Sequence, residues 1–108
     1  MNTPYTYFGR LSELIQGIPP DSIISRTILA TDQFKAVLFG FATGQELSEH
    51  TASQPAVLYF VQGEAELTLG ADSQTAAAGT WVHMTPRLPH SIRAKTPMIM
   101  LLLLLKSG

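Results

Sequence analysis

The residues Met98 to Leu105 read MIMLLLLL, eight consecutive positions without one polar side chain. A membrane-spanning helix needs about 20 apolar residues, so a run this short is a strand buried within protein rather than an anchor. A strand exposed on one face alternates apolar with polar residues, whereas one apolar at every position must be covered on both faces. The stretch Phe34 to Phe41 makes the same demand through Ala36-Val37-Leu38-Phe39-Gly40-Phe41. Any fold for this chain must therefore bury two strands on both sides.

The rest of the chain supplies short segments punctuated by turn residues. Tyr5 to Phe8 is an aromatic run suited to an edge strand or an arm. Leu11, Leu14 and Ile15 have helical spacing, but Gly17 and Pro19-Pro20 stop such a turn at once. Ser22 to Thr31 is β-branched and apolar, and Thr31-Asp32-Gln33 turns it back into Phe34 to Thr43 as a hairpin. Gly44 to Glu49 reads as a polar turn leading into His50, and Ala56 to Val61 as the next apolar strand. Glu64 to Leu69 alternates cleanly, with Ala65, Leu67 and Leu69 on one face. Gly70 to Ser73 is a hairpin turn and Gln74 to Ala77 a short return. Thr80 to Met84, His90 to Ala94 and Met98 to Leu105 complete nine or ten strands, with Pro86 and Pro89 bounding an irregular loop. This spacing, with no long helix and no βαβ rhythm, predicts an all-β sandwich or barrel. Residues 1–21 are expected to form an N-terminal arm or edge segment and residues 22–108 a single domain of this kind.

Composition removes several classes of function. The chain has 108 residues, enough for one core, and a net charge of -1 without a basic run, so a nucleic-acid surface is not expected. It contains no cysteine, which excludes disulfides and thiolate chemistry. No membrane partner is expected, and the start MNTPYTYFGR lacks the basic and apolar regions of a secretory signal, so the cytoplasm is the expected compartment. There is no phosphate loop, nucleophile elbow or dinucleotide fingerprint.

Two segments carry the chemistry. Gly44 is followed after five residues by His50, and Gly63 closes the stretch; Gly79 opens a second segment that ends at His90. In their order and spacing these residues resemble the two motifs of the cupin family, specifically its small single-domain members. The resemblance implies a double-stranded β-helix, the jelly roll of RmlC-like cupin barrels. It also marks departures. Ala52 stands in place of the family's second histidine, Ala56 in place of its glutamate, and Thr85 and Arg87 in place of a proline and a glycine.

With the family's barrel in view, a cup lined by His50, Ala52, Gln54, Ala56, Leu58, Phe60, Met84, His90 and Ile92 is expected. The favoured reading is a small molecule bound in that cup, with the imidazoles as polar handles on apolar walls. The alternative is a metal-dependent enzyme of isomerase or dioxygenase type. There His50 and His90, with Gln54 or His83 as a third ligand, would hold one divalent ion (Zn, Fe, Mn or Ni). Against both stands the plainer reading of two neutral, hydrogen-bonded histidines. Strand parity and the family pattern turn His83 outward with Trp81, while the opposite parity would bring it into the cup. Arg87 and Arg93 read as solvated loop and edge residues. A homodimer is expected, because the low charged fraction of 14% and the doubly apolar strands call for a further cover.

Overall fold

A computed structural model describes residues 4–106. After a single 3₁₀ turn at Leu11–Leu14 come nine strands: β1 Ile23–Ala30, β2 Phe34–Phe41, β3 Glu46–His50, β4 Ala56–Gln62, β5 Ala65–Leu69, β6 Asp72–Ala76, β7 Trp81–Met84, β8 His90–Ala94 and β9 Met98–Leu105. They form a five-stranded sheet in the order β1-β2-β9-β4-β7 and a four-stranded sheet in the order β3-β8-β5-β6. Every pairing within these sheets is antiparallel. The result is the expected all-β jelly roll. The first three residues of the expected arm and the last two of the expected barrel domain lie outside the described residues.

The position of β9 explains its composition. It is flanked by β2 on one side and β4 on the other, in the middle of the larger sheet. Its even-numbered residues Met98, Met100, Leu102 and Leu104 join the cluster between the sheets, with Phe41, Leu58, Phe60, Leu67, Met84 and Ile92. Each large side chain fully buried there contributes about 1.5–3 kcal/mol. Its odd-numbered residues face the other way, where Ile99 and Leu101 pack with Leu38, Ile15, Leu14 and Ile18.

That second cluster changes the expectation about what covers the outer face. Residues 11–18 lie across one end of the large sheet, and Ile15 is only 8% exposed. Gly40 makes the approach possible: a Cβ there would stand 2.8 Å from Ile15 Cγ2 and 3.0 Å from Ile18 Cγ1. A glycine inside an apolar strand marks a close approach by other chain. Arg26 ties the same segment down by donating from a guanidinium nitrogen to the Leu14 carbonyl at 3.2 Å. The cover is partial. Leu101, Leu103 and Leu105 remain half-buried, and Tyr59 and Trp81 are exposed.

Two local expectations need correction. Tyr5 to Phe8 lies in no strand, leaving the arm alternative. The polar stretch before His50 is a strand from Glu46 onward, because Glu46 and Leu47 pair with Arg93 and Ile92 of β8. Its side chains are largely solvated, so no apolar alternation announces it.

Candidate functional site

His50 ends β3 and His90 begins β8, and the two are register partners across that pairing. The register shifts between Leu47 and His50, and this irregularity sets the end of β3 opposite the start of β8. The ring centroids are 4.1 Å apart and the planes are inclined by 58°. His90 is 6% exposed and is the buried polar residue of the described core, whereas His50 is open to solvent.

Both rings are held by the same device. His50 Nδ1 lies 2.8 Å from the Ser48 carbonyl oxygen and His90 Nδ1 lies 2.8 Å from that of Leu88. A carbonyl oxygen only accepts, so each Nδ1 carries the proton and donates it. In the neutral rings, each Nε2 is then left with a lone pair and accepts hydrogen bonds or binds a Lewis acid. Two rings with this common tautomer form a pair of acceptors at one end of the barrel.

The other expected residues divide into two groups. Ala56, Leu58, Phe60, Met84 and Ile92 are all at most 3% exposed and belong to the packed core between the sheets. They fill the space between the sheets. Ala52 and Gln54 are half-buried in the loop 51–55 that leaves His50. Of the expected cup residues, those that reach solvent are His50, Ala52 and Gln54, at one end of the barrel. Two surface hollows elsewhere, one along β5 and β6 and one beside Pro20 and Pro97, touch neither histidine.

His83 does not join the pair. On β7 it is registered with Val57, and Trp81 with Tyr59, while Val82 and Met84 face the interior opposite Leu58 and Ala56. No group of three or more His, Cys, Asp or Glu side chains converges among the described residues. Zinc sites normally take three or four protein ligands. With alanines at positions 52 and 56, the histidine pair offers two nitrogen donors, fewer than such a site takes.

One residue outside the expected set stands beside the site. Arg87 has φ +66°, and its backbone N–H donates to the Ala52 carbonyl at 2.7 Å. The left-handed region disfavours a side chain with a Cβ. The signal was present in the sequence, where Arg87 takes a place that the motif usually gives to glycine.

Comparison with known proteins agrees with this architecture. A family model described as "Cupin domain" matches residues 37–104. A cupin superfamily protein from Desulfitobacterium hafniense superposes with a TM-score of 0.86 at 23% identity, over 99% of this chain and 97% of that one. A conserved protein of unknown function from Streptococcus pyogenes gives 0.85 at 25% identity, over 100% and 94% of the two chains. An RmlC-like cupin from Shewanella frigidimarina gives 0.79 at 19% identity, over 97% and 93%. No curated protein sequence matches the chain.

Proposed function

The chain belongs to the cupin-domain family, and from that premise we propose that it binds a small organic molecule at the mouth of the barrel. Fold alone decides nothing here, because one fold hosts many functions. The observation that carries the reading is the His50–His90 pair, with both Nδ1 atoms committed to backbone carbonyls. Two oriented acceptors beside an apolar core match the usual composition of a ligand site, in which few polar groups fix orientation. The residues that would meet the ligand are His50, His90, Ala52 and Gln54.

The alternative is a metal-dependent enzyme with a reduced ligand set. Two imidazoles retain an ion weakly unless the ligand completes the coordination. One experiment separates the readings. Backbone NMR of the untagged protein with a fragment library should show shifts clustered at His50, Ala52, Gln54 and His90, lost in His50→Ala. Shifts clustered elsewhere, or none, would remove the binding reading. Stoichiometric metal retained through purification, and lost in the His50→Ala/His90→Ala double variant, would favour the metal enzyme.

Assembly belongs to the same proposal. The outer face of β9, β4 and β7 keeps Leu103, Tyr59 and Trp81 beyond the cover of residues 11–18, with Trp81 61% exposed. A second copy packed sheet on sheet would bury this face. We assign the protein as a homodimer on that ground.

A further inference from the structure

Arg87 combines a strained backbone with a place beside the histidine pair. It holds a left-handed backbone (φ +66°) in a place where glycine would be unstrained. Strain of this kind persists where surrounding structure enforces it, and it concentrates at ligand sites. Its backbone N–H is bound to the Ala52 carbonyl at 2.7 Å. Ala52 follows His50 by two residues and Arg87 precedes His90 by three, so this bond ties together the two loops that adjoin the paired histidines. Its guanidinium is exposed and makes no ion pair or hydrogen bond among the described residues, which leaves it free to take an anion. The loops 51–55 (TASQP) and 85–89 (TPRLP) contain no acid to neutralise it. Glu49, the nearest acid to His50 in sequence, makes no ion pair with it either.

From these observations we propose that Arg87 is a carboxylate-binding residue and that the ligand is a small hydroxycarboxylic acid. The inference rests on the binding reading above and adds the chemical class. A guanidinium presents a planar fork of donors that matches a carboxylate in two parallel hydrogen bonds. The two Nε2 atoms accept, so they call for a donor on the same molecule, and a hydroxyl supplies it. The strained backbone then serves to hold a long cationic side chain at the rim, where a glycine would leave the carboxylate without a partner.

The test uses glycolate, 3-hydroxybutyrate and mandelate, each beside its primary amide, which keeps the hydroxyl and removes the charge. Binding is followed on the His50 and His90 ring resonances of the full chain. Parent protein is compared with Arg87→Gly and Arg87→Lys. Arg87→Gly suits the left-handed backbone, so it preserves the fold. At least one acid should bind roughly ten-fold or more tighter than its amide, the scale of a charge-assisted pair. Arg87→Gly should lower that acid to the level of the amide without changing the amide, and Arg87→Lys should restore part of the difference. Amides that bind as well as the acids, or a preference for acids that survives Arg87→Gly, would overturn the carboxylate assignment and leave the binding reading standing. If the histidine resonances respond to no acid while fragments do bind at the mouth, the hydroxyacid class alone falls. If nothing moves them, both fall.

Discussion

His50 and His90 share one hydrogen-bonding device but not one environment: each Nδ1 donates to the carbonyl two residues earlier, yet one ring is solvated and the other is 6% exposed. The difference separates their contributions to stability from their contributions to binding. His90→Ala removes a buried hydrogen bond and leaves space in the core, and should lower stability by about 1–3 kcal/mol. His50→Ala should change it by less than about 0.5 kcal/mol, as for an exposed position. Urea denaturation of both variants checks this, and equal losses would contradict the asymmetry.

The two rings should also share a tautomer. Long-range ¹H–¹⁵N correlation spectra, recorded where both rings are neutral, should show the proton on Nδ1 in each. A proton on Nε2 of either ring would remove that nitrogen from the acceptor pair on which the binding proposal depends.

Gly63 has φ +87°, and a Cβ on it would meet the Pro97 carbonyl oxygen and stand 2.9 Å from Met98 Cα. Both neighbours are backbone, at the entry to β9, so neither yields cheaply. Gly63→Ala should therefore destabilise the fold by about 3 kcal/mol or more, combining left-handed strain with the clash. A shift in the denaturation midpoint amounting to less than about 1 kcal/mol would show that the turn relaxes.

Arg87→Gly should have the opposite sign. Relief of a left-handed non-glycine residue is worth about 1–2 kcal/mol, partly offset by the greater freedom of glycine in the unfolded chain. A net gain of roughly 0.5–1 kcal/mol is expected, and Arg87→Ala, which keeps the strain, should show none. Thermal and urea unfolding of the pair measure it directly.

Leu103 lies between Ala36 and Val57 on the outer face of the large sheet, away from the segment 11–18. Leu103→Glu should convert a dimer into a monomer in sedimentation velocity while leaving the β-sheet circular dichroism unchanged. A parent that sediments as a monomer at high concentration would dispose of the homodimer.

Most of the strands were legible because the chain needs each of them to bury something. Alternation at Ala65, Leu67 and Leu69, and its absence in Phe34–Phe41 and Met98–Leu105, gave the faces that the sheets present. β3 was not legible, since Glu46, Ser48 and Glu49 point no apolar side chain inward and the strand exists only by pairing with β8. The cover formed by Ile15 and Ile18 was also missed. Its one trace in the sequence is Gly40, whose meaning depends on which segment comes near. At the site, motif spacing located both histidines. That they are register partners depends on two strands 40 residues apart in the chain becoming neighbours, and that each ring turns its Nδ1 to its own backbone depends on local geometry that no spacing encodes.

The central place of β9 also sets the order in which the protein is completed. Until Leu105 has been made, β2 with its hairpin partner β1 and β4 with β7 are two unconnected halves, because only β9 hydrogen-bonds to both. Contacts spanning so much of the chain are slow to form. The large sheet therefore closes only after its last strand has left the ribosome. Through that interval Phe34–Phe41 and Ala56–Gln62 are unpaired along the edges that later receive it, and this is when the chain is most exposed to pairing with its neighbours in the cell.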